Sequence, residues 1–349
     1  MDINMDRLYA LLGTVVNELG AAQNSALVIL GDELDLYRKL AAEGPMSAEE
    51  LATHTDTHER YVREWLSAQA ASSFITYHAD TGKFSMTPEQ AMVFAIDDSP
   101  ANVAGGFQAL DAIFADRLKL RDAFRHGGGV SWTERCNCMF CGTDRFFRAG
   151  YRANLLQSWL PALDGVVEKL ERGAKVADVG CGYGSSTIIM AERFTNSEFL
   201  GVDFHDASIA HAREHASAHT NLSFEIARAQ DFSGVGYDFV AMFDALHDMG
   251  DPVGAVRHMR ERMKPDGTLM LVEPMAGDSL SENLNPVGRI FYAASTNTCV
   301  PASLGQEVGA ALGAQAGQKK LTEVLNEGGF TRVRRATETP FNMVLEARP

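Results

Sequence analysis

The sequence predicts a two-domain chain: a mainly helical N-terminal domain with a two-stranded wing, then a doubly wound, mostly parallel α/β sheet. Three observations carry this. At 349 residues the chain is longer than one ordinary core accommodates. Up to about residue 125, apolar residues recur at three- and four-residue spacing, the period of amphipathic helices. From residue 151 onward, short apolar runs ending in Gly or Asp alternate with helical segments, the pattern of a parallel sheet.

Residues 3–42 read as two helical stretches, "LYALLGTVVNEL" and "ALVILGDELDLYRKLA". The second is apolar on more than one side, which suits burial between partners and predicts a homodimer. "SAEELA" opens a helix with Ser47 as N-cap and Glu50 three residues on, a capping box. "THERYVREWLSAQAASSF" continues as a second helix, and "FITYHADTGKFSM" reads as strand, turn, strand. This is a winged helix-turn-helix pattern, followed by one helix over 101–125 that "HGGG" closes. The expected divisions are 1–125, a linker or lid at 126–152, and 153–349, with an inserted wall at 276–300. In the second domain the strands are "KVADVG", "EFLGVD", "LSFEIARA", "YDFVAMF" and "TLMLVEP". "FTRVRRATET" and "FNMVLEA" should pair as a hairpin.

The charges exclude several classes. The net charge is −15, and a strongly acidic chain is repelled by phosphate backbones unless it holds a basic patch. Between Ser47 and Ala95 three Lys/Arg (Arg60, Arg63, Lys83) face seven Asp/Glu, which argues against DNA binding by the winged helix. No apolar run reaches the roughly 18 residues of a membrane span. "MDINMDRLYALLG" lacks a basic leader region, so a cytoplasmic protein is expected. Five cysteines in such a compartment are expected to be free thiols or ligands rather than disulfides.

"DVGCGYGSST" links a strand to a helix and carries Gly180, Gly182 and Gly184. Glycines there let the backbone turn sharply and approach a ligand closely. Nineteen residues after Gly184, Asp203 ends the next strand, placed to accept hydrogen bonds from both ribose hydroxyls of an adenosine cofactor. A dinucleotide or S-adenosylmethionine (SAM) fits such a loop. The third glycine comes one residue early for the dinucleotide fingerprint.

At this point the motifs "DVGCGYG", "GVDFH", "AQDF", "FDALHDMGDP" and "KPDGTLMLVEP" resemble the successive motifs of class I SAM-dependent methyltransferases. Residues 1–125 resemble the winged-helix dimerisation domain that precedes them in small-molecule O-methyltransferases. "HERYVREWL", "FFRAGYRANL" and "ENLNPVGRIFYAAS" are similar to a bacterial branch of that family. The resemblance implies a Rossmann-like, seven-stranded sheet with a C-terminal antiparallel strand. It implies that Asp178, Gly180, Gly182 and Gly184 shape the methionine end of the SAM site. Asp203 then takes the ribose beside Phe204, Asp231 and Phe232 flank the adenine, and Phe243 and Asp244 lie near the sulfonium.

Methyl transfer is an in-line displacement that needs the nucleophile close to the methyl carbon and aligned with the C–S bond. An alcohol, phenol or amine must also lose a proton. His247, in "LHDMGDP" just beyond a strand end, can take it, and the O-methyltransferases resembled here use the histidine of a similar "HD" pair as general base. Glu273 in "VEP" could orient the imidazole or the substrate. Trp132, Arg148 and Tyr151 in the lid, with Arg289 and Tyr292 in the inserted wall, are the candidate contacts for a small-molecule acceptor.

"ERCNCMFCGT" places Cys136, Cys138 and Cys141 in that lid. Three readings stand: small buried side chains, a zinc site with His126 as a possible fourth ligand, or a clamp for a thiophilic acceptor such as trivalent arsenic. Cys181 and Cys299 read as structural. From a different class, a SAM-sensing transcriptional regulator also fits a winged helix joined to a SAM fold.

Overall fold

The computed structural model describes residues 3–349. It divides the chain into two compact units. One comprises the chain up to Asp111 together with Cys141–Ala149; the other comprises Ala112–Phe140 with Gly150–Pro349.

The first unit opens with a helix from Met5 to Glu33, capped by the Asn4 side chain, which accepts the Arg7 N–H at 3.0 Å. The two expected helical stretches are thus one. Their break comes later, at Leu34 and Asp35, before the helix Leu36–Glu43. The N-terminal half of the long helix exposes Tyr9, Leu11, Leu12, Val15, Val16 and Leu19, while its last turns bury Val28 and Gly31. Gly31 is required by packing, since a Cβ there would meet the Trp65 ring at 2.5 Å. Beneath it Tyr37, Leu40, Leu51, Trp65, Leu66 and Phe94 form the core. A buried polar chain crosses this core. The Tyr37 hydroxyl donates to Gln69, the Gln69 amide to Asn24, and Asn24 to Ser72, so no polar group in it is left unpaired.

The helix-turn-helix follows as expected. Ala48–His54 carries the Ser47/Glu50 capping box, and Glu59–Ala71 is the second helix. Strands β1 (Thr76–His78) and β2 (Lys83–Ser85) pair antiparallel as the wing. All three cations of this region are matched by carboxylates: Arg60 with Glu64, Arg63 with Glu59, and Lys83 with Glu50.

The single helix expected over 101–125 is two, Ala104–Ala115 and Arg117–His126, parted at Asp116. Residues 126–152, the expected linker or lid, are largely helical. A helix runs Asn137–Asn154, and its stretch Cys141–Ala149 belongs with the first unit. Glycine explains the attachment. A Cβ on Gly142 would strike the Ala109 backbone at 2.6 Å, and one on Gly105 the Phe146 backbone at 2.5 Å. The two helices can touch only because both side chains are absent.

The second unit is built on a sheet of β3 (Lys175–Val179), β4 (Glu198–Asp203), β5 (Leu222–Ile226), β6 (Tyr237–Phe243), β7 (Met263–Pro274), β8 (Arg332–Glu338) and β9 (Asn342–Arg348). The spatial order is β5-β4-β3-β6-β7-β9-β8. Only β9 runs against its neighbours, and the β8–β9 hairpin is present. The central strands are mostly apolar because both faces are covered; Val176, Ala177, Val240, Met242, Leu269 and Leu271 are buried. The edge strand β8 is instead half-exposed and rich in arginine, which discourages edge-to-edge pairing. The chain fills β3, β4 and β5 outward, then returns to the other side of β3 for β6. The carboxyl ends of β3, β4, β6 and β7 therefore open onto the switch point where such sheets bind ligands.

Candidate active site

At the end of β3, Gly180, Gly182 and Gly184 have φ of 78°, 54° and 81°, the left-handed region that a side chain resists. The sharp loop they form feeds the helix Ser185–Arg193. Beneath it Asp178 is fully buried, and its Oδ2 accepts from Ser186 at 2.6 Å and Thr187 at 2.7 Å. Its Oδ1 is buried with no hydrogen-bond partner among the described residues. Burial pushes the Asp178 carboxyl up to about 6 against the pull of those two hydroxyls, with the Asp203 charge adding to the rise. At the end of β4, Asp203 accepts the N–H of Gly182 and of His205, each at 2.9 Å. Burial raises this carboxyl as well. Phe204, next to it, is exposed.

The adenine candidates separate. Asp231 is exposed and paired with Arg228 at 2.8 Å. Phe232 is wholly buried in the sheet's core, with its ring packed on His258 and Tyr237. The structure adds a contact that sequence spacing does not show. Phe140 stacks on the His205 ring with centroids 4.2 Å apart, and Trp132 meets Phe140 edge-on at 5.4 Å. Trp132 thereby joins the end of β4. No periodicity links residue 140 to residue 205, so only the fold reveals the stack.

At the end of β6, Phe243 lies 5.1 Å from the Tyr151 ring and 6.3 Å from Trp159. Asp244 has φ 47°, a conformation uncommon for a non-glycine residue and most often met at functional sites. Its Oδ1 accepts from Asn342 at 2.8 Å, while Oδ2 is buried without a hydrogen-bond partner among the described residues. Burial and the Glu273 charge hold this carboxyl well above its usual range.

Next comes the turn Leu246–Asp248. Glu273, from β7, is buried between two donors: its Oε1 accepts the Leu246 N–H at 3.0 Å and its Oε2 pairs with His247 Nδ1 at 2.6 Å. The other imidazole nitrogen, Nε2, lies 3.1 Å from Asp248 Oδ1. Burial alone would lower the imidazole, but the Glu273 and Asp248 carboxylates outweigh it and hold His247 well above its usual value. Cys299, expected to be structural, is the residue the sequence reading missed. Its Sγ belongs with His247 and Asp248 to a group whose ligand-type atoms all lie within 4.8 Å of one another. Burial, then the Asp248 charge, push this thiol up to about 12.

The remaining candidates are dispersed. Arg148 belongs to the first unit and pairs with Asp144 one turn earlier, at 3.4 Å. Arg289 is exposed and Tyr292 half-buried on the helix Pro286–Ala294, which leads into the turn carrying Cys299. The cysteine cluster departs from expectation. Cys136 and Cys138 are joined as a disulfide, and Cys141 takes no part in it. The Cα atoms of the pair lie 5.4 Å apart, within normal bridging distance. A disulfide offers no thiolate, so in this form the three residues make neither the zinc site nor the metalloid clamp.

These features can be set beside known proteins. Residues 170–329 match the family described as methyltransferase domain, and residues 22–95 match the Rv2258c-like winged HTH domain. Residues 170–329 are a methyltransferase domain. Across 111 residues the chain is 33% identical to trans-aconitate 2-methyltransferase of Deinococcus radiodurans, covering 32% of this chain and 42% of that protein. Across 102 residues it is 32% identical to ubiquinone biosynthesis O-methyltransferase of Neisseria meningitidis, covering 28% and 42%. The match thus spans less than half the length of either relative. Whole-chain likeness appears in solved structures. Human N-acetylserotonin methyltransferase in complex with SAM superposes with a TM-score of 0.73 at 17% identity, covering 100% of this chain and 99% of that one. An O-methyltransferase family protein from Burkholderia thailandensis gives 0.69 at 16%, covering 97% and 98%. At these identities the likeness is one of fold. The residues at the methyltransferase domain's strand ends fit SAM, since a Cβ on Gly182 would meet nothing within 4 Å, leaving room for close approach, and the orphaned Asp178 Oδ1 is a ready acceptor for an ammonium group. No helix among the described residues is long and apolar enough to cross a membrane.

Proposed function

We propose that this chain transfers the methyl group of SAM to a heteroatom of a small molecule, and that the acceptor's proton is handled at His247. The observation that carries this is the Glu273–His247 pair at the ends of adjacent strands, 2.6 Å between Oε2 and Nδ1. Held through Nδ1, the ring presents Nε2 as the working atom, and the two nearby carboxylates stabilise the imidazolium that forms when it accepts a proton. Asp178 and the three glycines would receive the methionine end of SAM, Asp203 its ribose, and Phe204 its adenine. Phe243 and Asp244 would lie near the sulfonium. Tyr151, beside Phe243, is the best-supported acceptor contact, with Trp132, Tyr292 and Arg289 as further candidates. The paired cations of the winged helix favour an enzyme over a DNA-binding regulator.

The test is S-adenosylhomocysteine release from purified protein given SAM and pooled small phenols, alcohols, amines and thiols, with arsenite in a separate arm. Acceptor-dependent release from one pool is expected. Release with arsenite alone, lost in Cys138→Ser, would instead make the cysteine segment the acceptor site. No release from any pool, together with a SAM-dependent shift of DNA at low salt, would favour a regulator.

The exposed apolar face of the first helix supports a homodimer, because a contiguous patch of this kind marks an interaction surface. Replacing Leu12 and Val16 together by aspartate is expected to yield monomers by sedimentation velocity, with the native dimer as reference. A wild type that sediments as a monomer would contradict this.

A further inference from the structure

We propose that His247, Asp248 and Cys299 form a binding site for a divalent cation of the zinc class, with one coordination position open to the methyl acceptor. Resting on the methyltransferase reading above, it narrows the acceptor to a thiol or hydroxyl compound held as its anion.

The donor set is the first argument. An imidazole, a carboxylate and a thiol converge from two elements distant in sequence, the turn Leu246–Asp248 and the π-helical turn Ser295–Cys299. Nitrogen and sulfur donors select zinc-like ions over magnesium or calcium. With a neutral imidazole, the carboxylate and a thiolate balance a divalent charge.

The second argument is geometric. Tetrahedral ligands at zinc bond lengths sit about 3.3–3.8 Å apart, the edge of the tetrahedron. Nε2 and Asp248 Oδ1 are 3.1 Å apart, and all three donor atoms lie within 4.8 Å of one another. Although Oδ1 is this close to a ring nitrogen, it is buried and finds no hydrogen-bond partner among the described residues.

The third argument is the support around the donors. Histidine ligands usually hand their second nitrogen to a carboxylate, which fixes the ring and raises its basicity. Glu273 does this at 2.6 Å and is itself pinned by the Leu246 N–H. The two donor-bearing turns are tied through one loop: the Gly313 N–H donates to the His247 carbonyl at 3.2 Å, and the Ala314 N–H to Ser295 Oγ at 3.1 Å. A π-helical turn, which adds a residue to the helical repeat and is frequent at functional sites, brings Cys299 into position.

Three protein ligands and one open position are the arrangement of catalytic rather than structural zinc. An acceptor R–XH binding there releases its proton to solvent and stays as R–X⁻ on the cation. Its lone pair forms the X–CH₃ bond as the C–S bond of SAM breaks, and that pair returns to sulfur to give S-adenosylhomocysteine. In this state Nε2 is a ligand, whereas in the metal-free chain the same nitrogen takes the proton.

The test uses untagged, full-length protein. Zinc content is measured by mass spectrometry of the metal, and the cobalt(II) form is examined by absorption. Expected are about one zinc per chain and a thiolate-to-cobalt charge-transfer band that Cys299→Ser abolishes and the Cys136→Ser/Cys138→Ser pair leaves intact. Glu273→Gln should weaken zinc about 10- to 100-fold. Circular dichroism and SAM affinity are followed in each variant to separate loss of metal from loss of fold. Wild-type protein with no bound zinc and no cobalt band, or a band that survives Cys299→Ser, would overturn the site. SAM binding with acceptor turnover in chelator would then leave His247 as the base and the methyltransferase reading intact, whereas failure of SAM binding would remove that reading independently of the metal.

Discussion

Replacing His247 by alanine is expected to lower methyl transfer about 10²- to 10⁴-fold while SAM affinity stays within about twofold of wild type. The two halves of this result have separate physical origins. The ring is buried at the ends of β6 and β7, and in the proposed reading its Nε2 faces the acceptor, as base in the metal-free chain or as ligand of the cation. Its loss therefore removes the atom that deals with the acceptor's proton. The residues proposed to hold the methionine, ribose and adenine of SAM follow β3 and β4 and use other side chains. Glu273→Gln is a sharper version of the same test. The glutamate accepts from both Leu246 N–H and His247 Nδ1. A glutamine has one oxygen and one NH₂, so it can accept one of these bonds and must present a donor to the other. The ring then loses its anchor or turns over, and a rate loss of at least about tenfold is expected with little change in volume. Full activity in His247→Ala would remove the proposed role.

The second large effect concerns pH. Asp178 is raised to about 6 chiefly by burial, so in the empty protein it is ionised above that value and neutral below it. In the proposed SAM site the ammonium group would pair with the ionised form. Binding therefore lowers the carboxyl's pKa, and by linkage the affinity is flat well above pH 6 and falls toward tenfold per pH unit beneath it. Burial also raises Asp203, which adds to the fall with the same sign. Asp178→Asn is expected to bind SAM about 10- to 100-fold more weakly at neutral pH, the loss of one charge-assisted hydrogen bond. It should also flatten most of the pH dependence. Calorimetry at several pH values measures both, and an unchanged slope in the variant would place the titration elsewhere.

Much of this molecule was legible in its sequence because the relevant physics is local. Parallel strands covered on both faces must be continuous apolar runs, so "YDFVAMF" and "TLMLVEP" declare themselves. The left-handed turns at Gly180, Gly182 and Gly184 need glycine, and the strand-end acid follows at a recognisable distance. The Ser47/Glu50 capping box likewise needs only three residues of context. What escaped detection depends on contacts between distant segments. The helix Asn137–Asn154 passes from one unit to the other because Gly105 and Gly142 let two helices touch, and a domain boundary placed at "HGGG" cannot anticipate this. Cys136 and Cys138 attract attention by their spacing, yet the structure bonds them to each other. Cys299 has no spacing to mark it and arrives beside His247 only through the π-helical turn and the Gly313–Ala314 link. Phe232 looks like a cofactor residue from its motif position, but the sheet draws it fully into the core.

The central claim is that the strand ends of this domain hold SAM with His247 beside the acceptor. Titration calorimetry of the wild type and His247→Ala with SAM, with NAD as control, tests it most directly. Saturable SAM binding of equal strength in both proteins, with no heat from NAD, is the expected result. Binding of NAD in preference to SAM, or no SAM binding by the wild type, would contradict it.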